Sequence, residues 1–307
     1  MGSVDKIEEL QELLKNDPSD FQVRRQLAVV LLDNGFAKEA LQHFLYLKKT
    51  FPDDSGIYYN LGIVFEKLKD LEKAKESYMK AIALSPEEID ANYNLGLVLL
   101  DLKRYDSAIE NFERVLEVDN NDSNAYFSIG LAYFKQKKYD AAEYYFKRTV
   151  ELDDSDLYAY FYLGNINKEK GDENAAMTCF KKVTEISPDY SWAYYNMAVI
   201  DWDNGNGDDC IENLSKTLQY NPKDVDAYKI FTKLLFKLGE MEKSKIVAEQ
   251  AIDNCGGNGD LYYILAQVNK GLGQNDEYVK CMGQSLKYYQ SLSVSPKLVK
   301  EELEKNK

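Results

Sequence analysis

Proline falls on a grid in this chain. The six prolines stand at positions 18, 52, 86, 188, 222 and 296, and the first five are separated by 34 residues or by three times that interval. Read at this period, the chain divides without insertion into eight repeats: 21–54, 55–88, 89–122, 123–156, 157–190, 191–224, 225–258 and 259–292. A unit this short cannot bury both faces of its elements alone, so stacking on its neighbours must complete the core.

Numbering each repeat from 1 to 34 gives most positions a physical role. Position 7 is apolar throughout, from Leu27, Leu61 and Leu95 to Leu265. Position 8 is small: Ala28, Gly62, Gly96, Gly130, Gly164 and Ala198 lead the series. Position 20 is Ala40, Ala74, Ala108, Ala142 and Ala176, then Cys210 and Ser244, with Tyr278 breaking the rule. Position 24 is Phe44, Tyr78, Phe112, Phe146 and Phe180 before it shrinks to Leu214, Ala248 and Met282. Positions 4, 7, 8 and 11 share one helix face, and 20, 24 and 27 another. Small residues let the two helices approach, and the large residue at 24 fills the space beside them. Position 15 is glycine in five repeats and lysine in Lys69, Lys103 and Lys137. Glycine there predicts a left-handed stop to the first helix. Proline at 32 stops the second.

The pattern resembles the tetratricopeptide repeat (TPR), seen best in Tyr58, Leu61-Gly62, Phe65, Ala74, Tyr78, Ala81 and Pro86. The resemblance covers residues 21–292 and implies an all-α fold, a right-handed superhelical α-solenoid of helix–turn–helix repeats. The expected organisation is a capping half-repeat over 1–20, the eight repeats, and a C-terminal capping helix over 293–307. Leu10 and Leu13 carry the first cap, and Leu298, Val299 and Leu303 the apolar edge of the last. The last two repeats lose the small and aromatic signature, and Cys255-Gly256-Gly257-Asn258-Gly259 is glycine-rich. Looser packing is expected there.

Composition narrows the function classes. The net charge of −14 argues against a sequence-independent grip on nucleic acid and against docking on an anionic membrane. Apolar runs are far too short to span a bilayer. One histidine, His43, and four scattered cysteines offer neither a zinc site of standard spacing nor a catalytic constellation, so no enzyme activity, metal or cofactor is expected. His43 reads as a surface or half-buried helix residue. Acidic residues at helix starts, such as Asp54, Glu88 and Asp156, read as caps. The absence of a leader points to a cytoplasmic location, or a periplasmic one if a leader has been removed.

What the resemblance implies is a groove lined by positions 2, 5, 6, 9, 12 and 13 of the first helices. Position 5 is aromatic in five consecutive repeats: Tyr59, Tyr93, Phe127, Phe161 and Tyr195. Position 6 holds Asn60, Asn94 and Asn196, and the two tryptophans, Trp192 and Trp202, fall at positions 2 and 12. Asparagine offers a donor and an acceptor to a peptide backbone, and the rings offer burial. The competing reading packs those rings against neighbouring first helices. Groove positions carry eight cations and eight anions, so the acidity lies elsewhere. The one local excess is Lys229, Lys233 and Lys237, a cationic spot. The carboxylate clamp of chaperone-binding members has no match in three consecutive repeats. The expected function is a non-enzymatic scaffold holding an extended segment of another protein. The alternatives are self-association, or the TPR portion of a larger glycosyltransferase or an envelope or secretion assembly.

Overall fold

The structure, a computed structural model, describes residues 3–305. The outermost residues of both expected caps, Asn306 among them, lie outside the described residues. The described chain is all helix, with no strand. After α1 (Ser3–Asn16) come α2 (Phe21–Asp33), α3 (Ala37–Thr50), α4 (Ser55–Lys67), α5 (Leu71–Leu84), α6 (Ile89–Asp101), α7 (Tyr105–Val118), α8 (Ser123–Lys135) and α9 (Tyr139–Leu152). They continue as α10 (Leu157–Lys170), α11 (Glu173–Ile186), α12 (Ser191–Asn204), α13 (Gly207–Tyr220), α14 (Val225–Lys237), α15 (Met241–Cys255), α16 (Gly259–Gly271) and α17 (Asn275–Lys287). A 3₁₀ turn (Tyr289–Ser291) and α18 (Pro296–Lys305) close the chain. Even-numbered helices from α2 to α16 are the first helices of the repeats, and odd-numbered ones from α3 to α17 the second. Packing divides the chain into an N-terminal body, residues 1–159, and a C-terminal body, residues 160–307.

Each helix start and stop has a local cause. Asp20, Asp54, Asp122 and Asp224 accept backbone N–H groups at the starts of α2, α4, α8 and α14. Asp156 does the same for Ala159 at the start of α10. Glu88 occupies this position before α6 without making the bond; its carboxylate instead accepts from the Ser55 hydroxyl. At the far end, Lys69, Lys103 and Lys137 adopt φ of 63°, 59° and 60°, the conformation that the glycines adopt elsewhere at this position. Around Lys69 the chain closes with Lys69 N–H on the Glu66 carbonyl and Asp70 N–H on the Phe65 carbonyl, both at 2.9 Å. These two bonds satisfy carbonyls that the helix end would leave open, and they hold a lysine where glycine is favoured.

Close approach explains the small residue at position 8. A Cβ on Gly96 would stand 2.5 Å from the Phe112 ring. The position-24 ring therefore lies directly on the backbone of the first helix, and these rings are fully buried.

The ends differ in detail from the sequence pattern. In α1, Ile7 and Leu10 enter the core, while Leu13 is 45% exposed. In α18, Val299 is fully buried and Leu303 packs beside it, but Leu298 faces solvent. The stronger anchor is polar: the Glu302 carboxylate accepts from Gln267 Nε2 at 3.0 Å, Tyr263 Oη at 3.2 Å and Tyr278 Oη at 3.4 Å. Tyr278 is buried at a position otherwise held by alanine, cysteine or serine, and Met282, not an aromatic ring, occupies position 24 of the same repeat. The glycine-rich junction is a seat rather than a slack link. A Cβ on Gly257 would run into the Tyr288 ring, and one on Gly259 would stand 2.5 Å from the Tyr288 carbonyl. Tyr288 in turn stacks on Tyr262 at 5.6 Å.

Candidate functional site

In the N-terminal body, the position-5 rings lean inward on their own repeat. Tyr59 lies 5.9 Å from Tyr78, Tyr93 5.5 Å from Phe112, and Phe127 5.5 Å from Phe146, measured between ring centres. They pack on second helices, and Tyr59 also packs in one cluster with Ala91 of the neighbouring first helix, as the competing reading has it. All three stay half-buried. The phenolic tips reach the next repeat: Asn94 Nδ2 donates to Tyr59 Oη at 3.1 Å, and Tyr93 Oη stands 3.4 Å from Ser128 Oγ. Burial, with Asp90 adding to it, pushes the Tyr59 phenol above its ordinary range.

Internal bonds consume part of the asparagine chemistry. Asn60 Nδ2 donates to the Gly56 carbonyl one turn back at 2.7 Å. In the C-terminal body, Asn196 is 6% exposed; its Nδ2 donates to the Trp192 carbonyl and its Oδ1 accepts from Lys168 Nζ at 2.6 Å. Asn196 thus has both ends of its amide engaged, while Asn60 and Asn94 keep Oδ1 and one N–H. Desolvation lowers the Lys168 pKa.

The other candidates of the C-terminal body scatter. Phe161 packs edge-on to Tyr190 at 5.4 Å and tilts over Phe180 at 5.9 Å. Tyr195 meets Trp192 at 6.2 Å, and the Trp192 ring is 53% exposed. Trp202 packs among Tyr195, Ala198 and Leu214, with Lys237 Nζ 4.7 Å above its ring. The expected cationic spot does not form. Lys229 is paired with Asp226 at 3.1 Å and Asp260 at 3.2 Å, and Lys237 is spent on Trp202. Only Lys233 of the three points to solvent unengaged. Asp226 lies one turn back on the same helix and Asp260 one repeat on, so counting along one helix finds the first and misses the second.

A hollow that the residue list above omits opens on the first-helix face of the N-terminal body. It measures about 480 Å³ and is lined by Leu97, Leu100 and Leu131, with Glu66, Asp101, Lys103 and Lys135 around them. None of these four charged groups has an ion-pair partner among the described residues. Glu66 accepts a hydrogen bond from Tyr78 Oη. Burial raises the Glu66 pKa, the tyrosine bond opposes it, and Asp101 adds to the rise. Leucine at positions 9 and 12 was the available signal, since both belong to the groove set. The conspicuous rings at position 5 obscured it.

Elsewhere the chemistry is sparse. His43 is half-buried with Nδ1 3.4 Å from an Arg24 guanidinium nitrogen; burial and that charge lower its pKa. All four cysteines are free, and burial pushes the Cys210 thiol up to about 12. Among the described residues no cluster could hold a metal ion, and no helix is long and apolar enough to cross a membrane.

Models of the tetratricopeptide repeat match residues 7–55, 56–88, 87–155 and 157–190. No curated protein matches the chain. Among solved structures, a fragment of MamA (41 to end) from Desulfovibrio magneticus RS-1 is 27% identical, covers 56% of this chain and 97% of its own, and superposes with a TM-score of 0.54. YrrB, described as a TPR protein with an unusual peptide-binding site, is 27% identical over 60% of this chain and 95% of its own, with a TM-score of 0.50. The C-terminal part of a TPR protein from Cytophaga hutchinsonii matches the fold over 78% of this chain and 98% of its own, at 15% identity and a TM-score of 0.67.

Proposed function

The chain belongs to the tetratricopeptide repeat family, and from that premise we propose that it is a non-enzymatic scaffold whose first-helix face holds an extended segment of another protein. The observation that carries this reading is the leucine-floored hollow ringed by four unpaired charges. An apolar floor beside unpaired charges suits a side chain with an apolar body and a polar neighbour. Tyr59, Asn60, Tyr93 and Asn94 lie along the same first helices. Their remaining amide donors and acceptors suit a peptide backbone, and the half-buried rings supply contact area at little entropic cost. Trp192 offers a further exposed ring in the C-terminal body. YrrB, similar in fold and sequence, is itself described as peptide-binding.

The test is panning a random peptide display library on the protein and on Leu97→Glu/Leu131→Glu. Both leucines are only partly buried, but Leu97 packs against the core, so circular dichroism checks that the double variant folds. Binders of the parent are expected to lose about tenfold or more in affinity, the scale of one hot-spot contact. Full retention of every binder by the double variant would remove the first-helix face as the site. Sedimentation at several concentrations separates a foreign partner from a second copy of the chain.

A further inference from the structure

The N-terminal body carries two more clefts on its other side, each between consecutive second helices and floored by the first helix below. One of about 670 Å³, between α3 and α5, is lined by Leu45, Leu61 and Phe65 among others. The next, about 490 Å³ and between α5 and α7, is lined by Met79, Ile82 and Leu99.

Both rims are positive in an acidic chain. Lys48, Lys73 and Lys80 face Glu76 around the first, and Lys75, Arg104 and Arg114 face Glu110 around the second. Three of these cations are already served: Lys73 by Asp70, and Lys75 and Arg104 by Glu72. Lys48, Lys80 and Arg114 are exposed and have no carboxylate within ion-pair distance among the described residues. Lys48 and Lys80 stand 5.0 and 5.9 Å from the centre of one ring, Tyr58. Two ammonium groups held beside one ring repel each other, and an anion between them removes that cost. In the second cleft, Asn111 is 8% exposed and its Oδ1 accepts no hydrogen bond, while its Nδ2 is fixed on the Ser107 carbonyl at 2.8 Å. A buried acceptor without a donor calls for one.

We propose that this second-helix face binds an acidic, amphipathic segment of another protein, with apolar side chains in the two clefts and Asp or Glu carboxylates on Lys48, Lys80 and Arg114. Packed helices lie roughly 10 Å apart, a distance that about seven residues of a helix span. The cleft at the same register in the C-terminal body, about 300 Å³, sets Asp201, Asp209 and Glu212 against Lys181 and Lys216. Its charge disfavours such a guest there, whereas the rims of the two clefts within residues 1–159 favour one. The inference is independent of the first-helix hollow.

The probe is a display library of random 16-residue peptides panned on the parent chain and on Lys48→Gln/Lys80→Gln/Arg114→Gln. The corresponding triple Glu variant serves as the stronger perturbation. All three residues are exposed, and circular dichroism checks that both variants fold. The expected result is enrichment of peptides combining Leu, Ile, Phe or Met with several Asp or Glu. Their affinity should fall about tenfold in the Gln variant, further in the Glu variant, and with rising salt, yet be unchanged in Leu97→Glu/Leu131→Glu. Absence of enrichment, enrichment without an acidic bias, or equal affinity for the triple variants would overturn the proposal. So would a concentration-dependent dimer lost in the triple variants, which would give the face to a second copy.

Discussion

At position 15, the N-terminal body carries Gly35, Lys69, Lys103 and Lys137, whereas the C-terminal body carries Gly171, Gly205, Gly239 and Gly273. All eight residues adopt the same left-handed conformation. At position 11, the N-terminal body has Leu31, Phe65, Leu99 and Tyr133; the C-terminal body has Asn167, Asp201, Leu235 and Asn269. The polar set reaches its position-23 partners: Asp201 accepts from Asn213 at 2.8 Å, and Asn167 and Asn269 each point Nδ2 at a cysteine sulfur 3.7 Å away. One backbone register therefore tolerates a strained lysine or a relaxed glycine in its turn, and an apolar or a polar residue at position 11 beside its core. The hydrogen bonds of the turn impose the conformation whatever the residue. The polar residues at 11 each find a partner at 23, because a buried polar group without one is costly, whereas Leu99 offers none to Asn111, whose Oδ1 stays unpaired.

The largest expected break in this comparison is at the position-8 contact. Gly96→Ala puts a methyl group into the Phe112 ring, and overpacking of this kind should cost about 1–3 kcal/mol. Adding Phe112→Leu recreates the Ala198 and Leu214 pairing of the C-terminal body and should recover most of the loss. Chemical denaturation of the single and double variants reads both. A destabilising single variant that the leucine fails to rescue would show that the two bodies solve this contact differently.

The buried carboxylate comes next. Burial, together with Asp209, raises the Asp201 pKa above its ordinary 3.8 despite the Asn213 bond. A raised folded pKa means that the protonated form is favoured on folding. That stabilisation is complete below 3.8 and is lost as pH rises through the folded value. Asp201→Leu/Asn213→Ser, which gives an apolar position 11 above a serine as in Phe65 and Ser77, should therefore be more stable than the parent at neutral pH. The expected gain is about 1–2 kcal/mol, shrinking as pH falls toward 4 in denaturation curves across that range.

Exchanging the turn residues is a smaller perturbation. Lys69→Gly, Lys103→Gly and Lys137→Gly should each stabilise by about 0.5–1 kcal/mol, the left-handed penalty less the extra chain entropy of glycine. Gly205→Lys should destabilise by a similar amount. Thermal melts of the four variants check the pair of signs together.

The smallest effect is expected at the C-terminal cap. Burial raises the Glu302 pKa, but the bonds from Gln267, Tyr263 and Lys270 outweigh it and hold the group below its ordinary 4.5. A depressed folded value gives stability that is present above 4.5 and lost as pH falls through the folded value. Glu302→Gln should cost up to about 1 kcal/mol at neutral pH. Hydrogen exchange should quicken in α17 and α18 and leave residues 1–159 unchanged.

The helix pairs were readable because each follows from residues within one period. Gly62 and Tyr78, or Gly96 and Phe112, mark their contact by size alone. The caps were readable in the same way where aspartate precedes a first helix. The fate of a side chain reaching into the next repeat was not. Along its own helix Lys229 shows only Asp226 one turn back, yet Asp260 also pairs with it from the following first helix. Asn196 looks like a ligand-binding amide until Lys168 closes on it from the preceding repeat. Leu13 and Leu298 keep the apolar spacing but stand exposed.

By itself, the sequence determined the period, the alternation of first and second helices and the small-on-large contact between them. These depend on spacing and size, which a single chain carries in its order of residues. Only the tertiary structure decided which charges remain unpaired around Leu97, Leu100 and Leu131, and which cations stand beside Tyr58 without a counterion. Whether a charge is paired depends on distances between neighbouring repeats, about one period apart in sequence and a few ångströms apart in space.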